Sequence, residues 1–209
     1  MTEIKEKSIQ TFLDELASKS ATPGGGSAAA LMGAQGAALV SMVCRLTIGK
    51  PKFVEVEAEL KEVQERAENL RAELTDLIKA DIDVFNRLMS KYALSKETDE
   101  EKAIRSEAIQ DILKQATEVP LQCVHACLKT IQLSQIAAEK GSPSVVSDAG
   151  AAVMSAYGGL KTSALNVYIN VGSLKDKDFA EAKLAELEAA LMDVDDVVNK
   201  IYETVKNRL

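Results

Sequence analysis

The chain has no tryptophan, a single histidine, three cysteines and four prolines, and aromatic residues fill only 4% of its 209 positions. So few rings exclude a core built on large aromatic side chains. What remains is an aliphatic, alanine-rich interior, which favours close helix packing over a β-sandwich. Three cysteines (Cys44, Cys123, Cys127) with no secretion signal exclude a disulfide framework and read as reduced cytosolic thiols. The amino-terminal MTEIKEKSIQ lacks the apolar core of a signal peptide. His125 points away from any helix face that Cys123 and Cys127 share, so no metal set is read there. A net charge of −7 leaves no basic face for nucleic acid or an anionic membrane. The nearest approach to a membrane span, Ala28 to Leu46, is weakly apolar and is interrupted by Gln35 and Arg45. One further absence is local. From Leu16 to Val54 this acidic chain contains no Asp or Glu, and that stretch holds three consecutive glycines and then Arg45, Lys50 and Lys52.

What is present is helical periodicity. Ile9, Phe12, Leu13 and Leu16 form one stripe of a helix expected over about Glu3 to Lys19. After a break at Ala21–Gly26, a helix rich in Ala, Gly and Ser is expected to end near Thr47. Gly33 and Gly36 inside it cost about 1 kcal/mol each relative to Ala, which calls for another backbone packed very close. Phe53, Val56, Leu60, Val63, Ala67, Leu70, Leu74, Leu77, Asp81, Val84 and Leu88 step by threes and fours, the period of a packed seam. A fourth helical region follows SKETDEEK and runs to about Lys140, with Pro120 bending or splitting it. A fifth runs from about Ser147 to Val171, with Gly158 and Gly159 as a candidate interruption. A last one runs from about Asp178 to the carboxyl terminus on the stripe Ala180, Leu184, Leu187, Leu191, Val194, Val198, Ile201 and Val205. The expected fold is all-α: one domain over 1–209, a bundle of about six helices, with seams that serve either a core or a partner subunit.

Within that frame a few residues can carry chemistry. Asp81 is the only polar member of an otherwise apolar seam. A carboxylate there is costly unless it is paired, hydrogen-bonded or protonated. It is either a capped or salt-bridged aspartate or an acid/base facing a cationic substrate. PGGGS ahead of a helix, Gly24 to Ser27, can aim backbone N–H groups at an anion, or can simply be a turn. Arg45, Lys50 and Lys52 either interact with a helix carboxyl end or receive carboxylates. Ser147 and Asp148 stand at a helix start, as caps or as a second carboxylate facing Asp81. Asn166 and Asn170, at i and i+4, either hold a heterocycle or bridge two helices.

Taken in order, TPGGGSAAALMGAQGAALVSMVCRLTIGK, DIDVFNRLM, SDAG and LNVYIN resemble the cyclodeaminase/cyclohydrolase family of tetrahydrofolate enzymes, over nearly the whole chain. LSKETDEEK and IYETVK are most similar to its stand-alone cyclohydrolases. The resemblance implies an all-helical homodimer with a folate substrate and no metal or redox cofactor. The family's D-x-x-A-F pattern falls on Asp81, with Val84 in place of Ala. Gly24, Gly25, Gly26, Ser27, Arg45, Thr47, Lys50, Asp148, Asn166 and Asn170 are the other positions it marks. The implied reaction is hydrolysis of the 5,10-methenyl bridge to 10-formyltetrahydrofolate. Cyclodeamination of the 5-formimino compound is the alternative, and a chain of this length leaves no room for a formimidoyltransferase domain to supply it. A non-catalytic dimerisation bundle would instead hold Asp81 against a fixed Lys or Arg.

Overall fold

Long runs of strong helix formers, broken only by Gly, Pro and short polar loops, give a structure without strands among the described residues, 4–209 of this computed structural model. Seven α-helices follow one another: α1 (Ile9–Leu16), α2 (Gly25–Arg45), α3 (Glu57–Tyr92), α4 (Asp99–Lys140), α5 (Val146–Gly172), α6 (Lys177–Leu191) and α7 (Val194–Lys206). The expected first helix is shorter than its stripe. Ser8 caps α1 through Thr11 N–H, a separate 3₁₀ turn covers Ile4–Glu6, and Glu3 lies outside the described residues. Phe53 and Val56 belong to a 3₁₀ segment ahead of α3, while the seam from Leu60 to Leu88 is buried as its spacing requires, with Asp81 half-buried within it. The expected last helix is two. Asp193 takes a left-handed conformation (φ 58°), which Asp tolerates better than most residues, and the chain turns there.

α2 sits among α3, α4 and α5, with α6 and α7 on the outer side of α4 and α5. It is long and apolar enough to cross a membrane by length and composition, but 61% of its most apolar stretch is buried inside the fold. Its glycines explain how three helices close around it. A Cβ on Gly33 would lie 2.6 Å from Cys127 Sγ and 2.8 Å from Leu74 Cδ2, and one on Gly36 would lie 2.9 Å from the Ala152 carbonyl oxygen. From the other side, a Cβ on Gly159 would meet Ala29 O at 2.7 Å, so Gly158 and Gly159 pass through α5 without interrupting it. These contacts run α2 and α5 antiparallel: Gly36 lies beside Ala152, and Ala29 beside Gly159.

Pro120 does not split α4 either. A proline has no N–H, so the Ala116 carbonyl one turn earlier loses its helical partner. The Asn170 side chain on α5 replaces it, donating Nδ2 to Ala116 O at 2.6 Å. The missing bond is thus made between helices rather than within one.

Candidate active site

Asp81 is brought to the amino end of α2. Ser27 Oγ donates to Asp81 Oδ2 at 2.7 Å, and the Ser27 backbone N–H also favours the charged carboxylate. Gly24 is the N-cap of α2 with no side-chain cap of its own, so the carboxylate of α3 stands where a capping anion would. Gly26 makes the approach possible. A Cβ there would lie 2.1 Å from Asp81 Oδ1 and 2.6 Å from Cγ. The glycine stretch therefore grips the protein's own carboxylate, and its anion-binding geometry is directed at Asp81.

No lysine or arginine among the described residues pairs with Asp81. Burial raises its pKa above the ordinary 3.8, and the two Ser27 contacts only partly offset that. The carboxylate is thus held, partly desolvated and without a counter-cation among the described residues. This is the state of a group meant to meet a positive charge or to accept a proton. Near it, Cys123 on α4 and Ser163 on α5 are buried side by side, with the Ser163 hydroxyl against the Cys123 thiol.

The remaining sequence-marked residues divide. Asn166, on the Ser163 side of α5, donates to Thr162 O of its own helix at 2.9 Å. Asn170 Nδ2 donates to the Ala116 carbonyl, so it bridges α5 to α4 as one of its two readings expects. Arg45, Thr47, Lys50 and Asp148 lie at the opposite end of the bundle. Gly26 and Arg45 are separated by about 28 Å of α2, at about 1.5 Å of rise per residue. Asp148, in the first turn of α5, is about 22 Å along that helix from Ser163. It does not face Asp81 within one chain.

Thr47 is fully buried, with its hydroxyl donating to Val43 O (2.7 Å) and accepting from Ser142 N–H (2.9 Å). It fastens the end of α2 to the loop before α5 and has nothing left for a substrate. Arg45 turns toward Ser41 Oγ (3.3 Å) and Glu68 Oε1 (3.5 Å). Glu68 also holds Arg71 and accepts from Ser41 Oγ at 2.6 Å, and these hydrogen bonds keep its pKa below the usual value. Lys50 is not paired with an acid: its Nζ donates to Ser142 Oγ at 3.2 Å. Ser142, which the sequence did not mark, is the residue that joins Thr47 to Lys50. Its only sequence signal is its place in the Gly141–Pro143 punctuation.

The model of the formiminotransferase-cyclodeaminase family matches residues 8–189. The chain belongs to that family. Among relatives, a methenyltetrahydrofolate cyclohydrolase of Methylorubrum extorquens is 56% identical over 203 residues, covering 97% of this chain and 98% of its own. The rat formimidoyltransferase-cyclodeaminase is 32% identical over 188 residues, 90% of this family member but 35% of that longer protein. Among solved structures, formiminotetrahydrofolate cyclodeaminase from Thermotoga maritima superimposes with a TM-score of 0.83 at 29% identity, covering 99% of this chain and 98% of the other. The all-α, single-body architecture read from periodicity is that of a family enzyme.

Proposed function

We propose that this family member is a methenyltetrahydrofolate cyclohydrolase, converting 5,10-methenyltetrahydrofolate and water to 10-formyltetrahydrofolate. The observation that carries the reading is the half-buried Asp81 carboxylate, fixed by Ser27 and without a counter-cation among the described residues. The near-full-length similarity to a protein of that name supports it. A purely structural bundle would need a fixed cation at Asp81, and none of the described residues supplies one.

The substrate's bridge carbon is electrophilic because its amidinium carries a positive charge. Asp81 attracts that cation and accepts a proton as water oxygen bonds to the carbon. The tetrahedral carbon then expels N5: the C–N5 bond breaks, its electron pair returns to nitrogen, and the proton held on Asp81 goes to it. The formyl group stays on N10, and one proton is released overall. Hydrolysis of an amidinium changes no oxidation state, so the step calls for no redox group. General-base help of this kind is worth about 10² to 10⁴ in rate.

The site is completed by a second copy of the chain. Asp81 and Lys50 stand at opposite ends of α2, which holds them about 28 Å apart within one protomer. An antiparallel homodimer would set the Lys50 end of a second copy beside Asp81. The protein is read as acting in the cytoplasm on a folate, with neither nucleic acid nor membrane as a partner. The structural likeness to a cyclodeaminase sustains one second reading, closure of 5-formiminotetrahydrofolate with loss of ammonia. Loss of the methenyl chromophore, followed by absorbance, decides the first reading. Wild type is expected to exceed spontaneous hydrolysis and Asp81→Asn to fall by about 10² to 10⁴. A wild-type rate equal to the spontaneous one removes the proposal, and ammonia release from the formimino compound would put the second in its place.

A further inference from the structure

Between α4 and α5 the chain gives up a helical bond and makes another in its place. A helix running on past Lys140 would carry the Ser142 N–H to the Ala138 carbonyl, four residues back. Instead α4 stops at Gly141, whose backbone is extended (φ −66°, ψ 158°), and Gly141 N–H donates to Ala137 O at 2.9 Å. Ser142 N–H turns to the end of α2 and donates to Thr47 Oγ1 at 2.9 Å. That turn sets Ser142 Oγ 3.2 Å from Lys50 Nζ. It also deprives the carbonyl of the fully buried Ala138 of its helical donor. Arg208 takes the place of that donor. Its guanidinium donates through Nη1 to Ala138 O and through Nη2 to Gly141 O, the latter at 2.9 Å. A planar fork of N–H donors suits two carbonyls at a helix carboxyl end, and its charge suits the negative pole there. Arg208 is itself held in place. It follows α7, its N–H is bonded to Val205 O at 2.9 Å, and Val194, Val198, Ile201 and Val205 bury that helix against the fold.

We infer that Arg208 is a positioning residue for the reaction, acting through Ser142 on the aim of Lys50. It touches no substrate. It satisfies the carbonyls that α4 leaves open, so nothing draws the Ser142 N–H back to Ala138 O. Without it a buried carbonyl lacks a donor, and one more residue of α4 is the nearest remedy. That move takes the Ser142 N–H from Thr47 and the Ser142 hydroxyl from Lys50. Lys50 then keeps its charge and loses its orientation. The inference rests on the folate reading above, with Lys50 receiving the substrate's carboxylates. The family motifs include neither Arg208 nor Ser142, and the nearest to Arg208, IYETVK, stops at Lys206.

The test compares 5,10-methenyltetrahydrofolate with 5,10-methenyltetrahydropteroate, which keeps the reacting bridge and lacks the glutamate. Arg208→Ala is expected to raise KM for the folate about tenfold, as befits one lost charge-assisted contact, with kcat within about twofold of wild type. KM for the pteroate should not change. Arg208→Lys keeps a charged donor for the two carbonyls and should recover part of the loss. Thr47→Val removes the acceptor that holds the Ser142 N–H and should raise the same KM. Combined with Arg208→Ala it should add little, because both act on one contact. A general loosening of the fold would instead move kcat and both substrates, and circular-dichroism melts report whether each variant is folded. If Arg208→Ala does not fold, Arg208→Lys and Thr47→Val carry the comparison. An unchanged folate KM in the folded variants, or a rise equal for the two compounds, overturns the inference and leaves the cyclohydrolase reading standing. A wild type that hydrolyses neither compound above the spontaneous rate overturns the reading of the reaction, and the inference falls with it.

Discussion

Replacing Gly26 by alanine separates the position of the Asp81 carboxylate from its mere presence. The added Cβ would stand 2.1 Å from Oδ1, whereas an ordinary contact begins near 3.4 Å, so the carboxylate must retreat by about 1.3 Å. The backbone of α2 is fixed by three neighbouring helices, and the aspartate side chain is the softer partner, so it is the carboxylate that moves. Retreat breaks the 2.7 Å bond from Ser27 Oγ and turns the oxygens away from their present aim. A misplacement of about 1 Å at a reacting group costs on the order of 10² in rate, and full loss of the base costs about 10² to 10⁴. Stability moves little. Alanine gains up to about 1 kcal/mol over glycine in a helix, which offsets much of the lost hydrogen bond, so the melting temperature should stay within about 4 °C of wild type. The assay is the disappearance of the methenyl chromophore at saturating substrate, with a circular-dichroism melt on the same sample. A Gly26→Ala protein that melts like wild type and turns over at the wild-type rate would refute the claim that the glycine stretch serves to seat Asp81.

Three other outcomes follow from named contacts. Ser27→Ala removes the contact that most lowers the Asp81 pKa, so the acid limb of the kcat–pH profile should move to higher pH than in wild type. Because the native pKa of Asp81 lies above its ordinary 3.8, its ionisation opposes folding: stability from this group is full below 3.8 and declines as pH rises through the native pKa. Asp81→Asn should therefore gain on wild type in urea melts as pH crosses that window and show no gain below it. Asn170→Leu leaves the buried Ala116 carbonyl without a donor and should cost about 1–3 kcal/mol, but little in a Pro120→Ala background, where the new alanine supplies its own N–H; equal costs in both backgrounds would dissociate the pair.

Much of this was legible in the sequence, for identifiable reasons. Each seam position from Leu60 to Leu88 is reported by its own neighbours three and four residues away, so the core face of α3 and the anomaly of Asp81 could be read locally. The tight packing at Gly33 and Gly36 was legible as an unexplained cost of glycine in a helix. The partners were not. The bond from Asn170 to Ala116 spans 54 positions, and Pro120 announces that a carbonyl is freed without saying what satisfies it. Thr47 carries family-marked chemistry in sequence yet its buried hydroxyl is engaged in structural hydrogen bonds, because a polar side chain's residue type does not reveal whether its atoms are already spent. The break at Asp193 escaped because the apolar stripe runs on through it in register.

The grouping of Asp81 with Arg45 and Lys50 fails on helix length alone, and that failure explains the acid-free segment better than a single shared pocket does. An acid near the first turn of α2 would compete with Asp81 for the Ser27 N–H and hydroxyl and would repel it. An acid near the last turn would pair with Lys50, as Glu68 pairs with Arg45. The same absence therefore serves two sites of opposite purpose: one end of α2 holds a negative group ready for a cation, and the other presents positive groups to an anion. In the proposed dimer, a substrate that is cationic at one end and anionic at the other would bridge that pair, with a second α2 running the opposite way to set the Lys50 end of one chain beside the Asp81 end of the other. If so, a dimer of Asp81→Asn with Lys50→Ala chains should recover one working site when the two inactive proteins are mixed and allowed to exchange. Up to about half of the sites in such a mixed dimer pair two wild-type halves, and activity that never rises above that of either parent, in a sample shown to have exchanged subunits, would place the whole site within one chain.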